Sequence, residues 1–100
     1  MADKIYTIED IRNKLNPVFK DYKVKKAVLF GSYVKGNANE KSDVDLLLDS
    51  GLRGLSFIGL IENIRATLDK EVDVFDTLHI IPESRIHHDI MRDGVVIYEE

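Results

Sequence analysis

Apolar residues at positions 8, 11, 15, 18 and 19 recur in the three- and four-residue steps of one helix face. Thr7 stands ahead of them, with Glu9 and Asp10 in the first turn, which reads as an N-cap followed by acids that suit the positive end of the helix dipole. The pattern predicts a helix from Thr7 to about Tyr22. Pro17 interrupts it and predicts a kink or an early end, because proline removes a backbone donor and crowds the preceding turn. Val24 to Phe30 reads as a first strand, cut off by Gly31, and Tyr33 to Lys35 as a short helical turn stopped by Gly36. After a loop over residues 37–42, Val44 to Leu48 reads as a second strand, so uniformly apolar that both of its faces should be covered. Ser50-Gly51 and Gly54 mark another loop. Leu55, Ile58, Ile61, Ile64 and Leu68 then outline a second long helix, weakened only locally by Gly59. Glu71 to Phe75 is the third strand, Pro82 to Arg92 a short helix stopped by Gly94, and Val95 to Tyr98 the last strand. Strands alternating with helices place the chain in the α/β class, as one domain over residues 1–100 with a mixed sheet of about four strands packed with helices.

Composition narrows the class of function. The chain is 44% apolar and 32% charged, as in soluble globular domains. No stretch approaches the roughly 18 consecutive apolar residues of a membrane span. The opening MADKIYTIED lacks the apolar centre of a secretory signal, and cysteine is absent, which excludes disulfides and thiolate metal sites. The expected compartment is the cytoplasm, with no membrane partner. Net charge is −4, whereas nucleic-acid binders carry a basic surplus or a basic patch. Lys20 to Lys26 holds four lysines in seven residues, and reads as a solvated helix end and strand start, so direct nucleic-acid binding is not expected. An acidic chain also repels a free polyphosphate, so any nucleotide it takes should arrive with metal ions.

The chemistry is concentrated in GSYVKGNANEKSDVDLLLD, residues 31–49. Side chains alternate along a strand, so Asp43 and Asp45 share one face while Val44 and Leu46 take the other. If the third strand lies beside the second, Asp73 joins them. Three carboxylates on one patch repel unless divalent cations neutralise them, and hard oxygen ligands of this kind suit Mg²⁺. Gly31 and Ser32 end the first strand where the chain turns into a helical segment, a place where backbone amides and a hydroxyl can receive a phosphate. A phosphate cradle beside a metal cluster implies phosphoryl or nucleotidyl transfer with two metals. Taken singly the parts are weak: 11 of 100 residues are Asp, so roughly one Asp-Xaa-Asp arises by chance. The composite is the specific signal: apolar strand, Gly-Ser, ten residues, Asp-Xaa-Asp in a second apolar strand, and an Asp in a third. A bland alternative is a surface turn followed by solvated acids at a strand edge, and Leu46-Leu47-Leu48 argues against it.

In these residues the chain resembles the minimal nucleotidyltransferases (MNT) of the DNA polymerase β superfamily. Leu29-Phe30-Gly31-Ser32, Asp43-Val44-Asp45-Leu46 and Val72-Asp73-Val74 match that signature in order, and Gly94-Val95-Val96-Ile97-Tyr98-Glu99 resembles the family's last strand. The resemblance implies a polymerase β-like fold in which Asp43 and Asp45 hold two Mg²⁺ ions. Asp73 would ligate the catalytic metal and help to deprotonate the attacking hydroxyl, while Gly31 and Ser32 bind phosphates. Lys35 stands where members often carry Arg before the Gly, so the positive charge is kept and the bidentate fork is lost. Stand-alone members of this size resemble the antitoxins of HEPN/MNT toxin–antitoxin pairs, which implies transfer of AMP from ATP to a tyrosine of a HEPN ribonuclease. Two alternatives are a non-catalytic antitoxin that masks its partner by contact alone and an antibiotic nucleotidyltransferase, the latter disfavoured because it needs an acceptor domain.

Other polar residues read as structural. His87 and His88 are adjacent on a short helix and point about 100° apart, which is poor spacing for two ligands. His79 falls in a loop, and Asp49 and Asp76 sit at strand ends as turn residues. Arg53 lies between two glycines as a solvated loop residue that could reach a triphosphate.

Overall fold

A computed structural model describes residues 6–39 and 41–100. Helix α1 covers Ile8–Asp21, and its start is a reciprocal cap: Thr7 Oγ1 accepts from the Asp10 amide at 3.0 Å while Asp10 Oδ2 accepts from the Thr7 amide at 3.1 Å. Ile11, Leu15, Val18 and Phe19 are buried along one stripe, as the periodicity predicts. Pro17 neither ends the helix nor stops its hydrogen bonding, since Tyr22 N still reaches Val18 O at 3.1 Å. The expectation of an early end is therefore corrected. Pro17 lies on the exposed side, where water can satisfy the carbonyl that its missing N–H leaves free, and the buried Val18 and Phe19 hold the last turn in place.

Strand β1 (Lys26–Phe30) leads into the one-turn helix α2 (Ser32–Lys35), and strand β2 (Val44–Asp49) into helix α3 (Leu55–Leu68). Strand β3 (Val72–Asp76) continues into a 3₁₀ turn at Thr77–His79, so His79 is not in open loop. Helix α4 (Arg85–Asp93) and strand β4 (Val95–Glu99) complete the chain. α4 begins three residues later than Pro82. Glu83 has φ 65°, which is not helical, and Ser84 is the working N-cap, accepting from the His87 amide at 3.2 Å.

The sheet order is β3-β2-β1-β4, with β2–β3 parallel and the other two pairs antiparallel. α1 and α3 pack on one another and close one face, burying Val44, Leu46 and Leu48 of β2 against Leu60, Ile64 and Leu68 of α3. Full burial of each such side chain is worth about 1.5–3 kcal/mol. The apolar line on α3 begins later than its sequence suggests: Leu55 and Ile58 are exposed, because the helix reaches the core only from Leu60 onward.

The other face is where expectation and structure part. Asp45, Leu47 and Asp49 are only half-buried, alternating with their fully buried neighbours. α4 covers part of this outer face and has no buried residue of its own. So β2 is covered on one face and half-open on the other, which is what allows two of its alternate positions to be carboxylates. No helix among the described residues is long and apolar enough to cross a membrane.

Candidate active site

The acids meet through strand register. β2 and β3 pair with Asp45 opposite Asp73, so both carboxylates rise from the outer face of neighbouring strands, and Phe30 of β1 completes the row beside Asp45. Burial first, then the charges of Asp73 and Asp43 and a hydrogen bond with Asp73, push the Asp45 carboxyl from its ordinary 3.8 up to about 6. Asp43, exposed and just ahead of β2, is thus close enough to act on Asp45, and Asp73 is exposed on its other side. The three acids lie together as the alternation predicts. Among the described residues no three acidic or histidine side chains converge as a ready-made metal cage.

Gly31 sits directly against this pair. Its φ is 80°, and a Cβ added there would overlap Asp45 Oδ2, so both the backbone conformation and the space admit only glycine. The residue is the N-cap of α2 and offers no side chain to its amides; its carbonyl accepts from Val34 and Lys35, each at 3.1 Å. Ser32, half-buried, starts the helix beside it, and Gly36 in the left-handed region ends it. The sequence therefore gives one short turn whose amide end abuts the carboxylates.

Lys35 is at the other end of this turn. Its Nζ lies 3.9 Å from Asp93 at the end of α4, and Asp93 also receives Arg92 Nε at 3.0 Å. Both partners are partly exposed, so the bridge is weak and can open toward another anion. Arg53 is not brought to the site. It is exposed in the connection that leaves the opposite end of β2, four strand residues or about 13 Å beyond Asp45. Asp49 ends β2, and Asp76 caps the 3₁₀ turn by accepting from Leu78 N at 2.9 Å, so both are structural at strand ends. His87 and His88 have ring centroids 6.1 Å apart, and His87 Nδ1 accepts from Glu83 N at 3.0 Å, which uses the ring to tie down its own helix start.

Sequence reading missed what lies further along the outer face. Two residues beyond the acids come Leu47 and Phe75, the latter tilted against Phe30 with centroids 5.6 Å apart. Past them a cavity of about 430 Å³ opens between sheet and α4, lined by Val28, Leu47, Thr77, Ile90, Met91 and Val96 among others. A signal for it was present in Ile86, Ile90 and Met91, an apolar stripe at helical spacing in an otherwise charged helix.

The polymerase β nucleotidyltransferase family matches residues 13–100. The chain belongs to that family. It is a nucleotidyltransferase, with the family's fold and an acid-bearing sheet face. Over its full length it is 31% identical to the protein adenylyltransferase MntA of Aphanizomenon flos-aquae, covering 74% of that protein. A toxin–antitoxin complex crystallised with AMP-PNP contains a chain of the same fold, with TM-score 0.72, 23% identity, and coverage of 89% of this chain and 73% of that one. So does the complex of a tri-AMPylated Shewanella oneidensis HEPN toxin with its MNT antitoxin, with TM-score 0.67, 20% identity, and coverage of 94% and 74%.

Proposed function

We propose that this nucleotidyltransferase moves AMP from ATP to a hydroxyl of a partner protein, most simply a tyrosine of a HEPN ribonuclease toxin, and so acts as that toxin's antitoxin. The observation that carries the proposal is the apposition of Asp45 and Asp73 across two parallel strands, with Gly31 pressed against Asp45. The nearness in sequence to a protein adenylyltransferase, and the nucleotide and AMPylated toxin in complexes of the same fold, support it.

The donors fit a pair of Mg²⁺ ions. They are carboxylate oxygens only; burial, and after it the charges of Asp73 and Asp43, raises Asp45 to about 6, and a divalent cation would favour its ionised form. Asp43 and Asp45 would hold both ions and Asp73 one of them. When bound, they supply the positive charge that screens the phosphates and lowers the pKa of the attacking hydroxyl. Gly31 leaves room for the Asp45 carboxylate beside the start of α2, and Ser32 offers its hydroxyl and the first amide of that turn to a phosphate. Lys35 is one turn away and can exchange Asp93 for a phosphate oxygen. In the transfer, the acceptor oxygen bonds to the α-phosphorus and the bond from that phosphorus to the α–β bridging oxygen breaks. Pyrophosphate leaves, and the hydroxyl proton passes through the Asp73 carboxylate to solvent.

Co-expression with a HEPN-domain toxin, followed by intact mass measurement of the toxin, tests the proposal. Wild type should add AMP to the toxin. Asp73→Asn should retain Mg-ATP binding by calorimetry and lose the adduct by orders of magnitude. A toxin that is bound and silenced yet carries no AMP would overturn the catalytic reading.

A further inference from the structure

Phe30 is buried, at 5% exposure, although it does not belong to the core beneath α1 and α3. It pairs with Asp45 across β1 and β2, so its side chain rises from the same outer face as the carboxylate. Phe75 rises from that face too. It follows Asp73 by two residues on β3, opposite Leu47, whereas Val74 between them packs inward against the core. β1 and β3 are not neighbours, since β2 lies between them. Yet the two rings meet, with centroids 5.6 Å apart and planes tilted by 52°. They reach each other only by leaning over β2 from either side, across the step between Asp45 and Leu47. The result is an aromatic bar over the sheet. The carboxylates lie on one side of it. On the other is Leu47, which lines both cavities beneath α4, and neither phenylalanine is among the described residues that line them. Phe30 is the sealed half of the bar and Phe75 the half left partly exposed.

We propose that Phe75 is a specificity-determining residue, a stacking surface for the aromatic ring of the acceptor, which selects a phenolic hydroxyl over an aliphatic one. The inference rests on the protein-adenylylation reading above and adds the residue that reads the acceptor's chemistry. In that reading the acceptor hydroxyl gives up its proton at Asp73. Side chains two residues apart on a strand share one face at a spacing of about 6.6 Å. A phenol whose oxygen is held at Asp73 therefore has its ring beside Phe75, within the roughly 4.5–7 Å at which aromatic rings pair in tilted or offset geometry. Phe30 backs Phe75 from the β1 side, so the shelf is in place before any acceptor arrives. A serine or threonine hydroxyl brought to Asp73 carries no ring and leaves the exposed part of Phe75 in water. Adenosine is the competing occupant of an aromatic shelf. It enters tied to the α-phosphorus, however, and nothing in the transfer draws it to Asp73, the residue on whose strand and face Phe75 stands.

The test uses the HEPN toxin that wild type adenylylates, and a form of it in which the modified tyrosine is replaced by serine, with transfer followed by intact mass. Phe75→Leu keeps an apolar side chain and removes the ring. It should lower kcat/KM for the tyrosine toxin about tenfold, leave that for the serine toxin within twofold, and leave the Kd for Mg-ATP within twofold by calorimetry. Damage to folding or to the carboxylates would lower transfer to both acceptors together, so the ratio between them is a readout that a merely structural role would not move. Phe75→Tyr restores a ring and should return the tyrosine toxin to within threefold of wild type. That arm stands even if the serine toxin takes up too little AMP to measure. Equal losses for both acceptors, no loss for either, a Phe75→Tyr variant as poor as Phe75→Leu, or AMP found on an aliphatic hydroxyl of the toxin would each overturn the inference. Weakened Mg-ATP binding as the main effect would overturn it as well, by assigning the shelf to adenine. If wild type adds no AMP to any HEPN toxin, the reading beneath the inference fails first and takes it along.

Discussion

Asp45 is the residue in which burial and charge compete. Its carboxylate is half-buried, hydrogen-bonded to Asp73 and raised to about 6, so ionising it costs the folded protein more than the unfolded chain. For an acid with a raised folded-state pKa, the associated stability is complete below the ordinary 3.8 and is lost as pH climbs through about 6. Asp45→Asn removes this titration. In metal-free buffer the variant should melt close to wild type at pH 4 and above it at pH 8. The gain should be about 1–2 kcal/mol, discounted because half of the group faces water. Thermal melts at the two pH values check this, alongside loss of AMP transfer. A wild type more stable than the variant at pH 8 would mean that these acids hold the fold together.

At the scale of elements, the site depends on one parallel pairing. β3 must arrive beside β2 in the register that sets Val72 against Val44 and Asp73 against Asp45, and the turn before it fixes that register. Asp69 ends α3 at φ 53°, its amide bonded to Arg65 O at 2.7 Å. Tyr6 Oη donates to Leu68 O at 2.6 Å, and Arg65 Nη2 donates to Val72 O at 3.3 Å. The inner face of β2 supplies the adhesion. Leu46 is fully buried between the acids' strand neighbours and the helices, so Leu46→Ala should cost about 2–5 kcal/mol. Chemical denaturation measures it directly. A loss below 1 kcal/mol would show that the helix-covered face is loosely packed and that register is held elsewhere.

On the scale of the whole molecule, a chain of net charge −4 with Asp43, Asp45 and Asp73 near one another should reject an uncomplexed nucleotide. Titration calorimetry with ATP should give tight binding with Mg²⁺ present and at least a tenfold weaker Kd in EDTA. The melting temperature should rise with Mg-ATP by an amount set by ligand concentration over Kd. Equal affinity in EDTA would contradict the view that cations join protein and phosphate.

Several features were already legible in the residues because they depend on local rules. The Thr7 cap, the stripe of α1, the glycine stops and the apolar β2 follow from propensity and period. The alternation of Asp43 and Asp45 also gave their common side before any neighbour was known. Packing decided the rest. Pro17 was tolerated because its side of α1 meets solvent, and Leu55 and Ile58 fell outside the core because α3 overhangs it. Lys35 found Asp93, 58 positions away in sequence (93 minus 35), through the placement of α4. The openness of the outer face, on which Asp45, Asp73 and the cavity beneath α4 all depend, could not be read from Leu46-Leu47-Leu48. An apolar run states that burial is favourable, whereas which face is buried, and by what, is set by elements distant in sequence whose contacts exist only once the sheet has assembled.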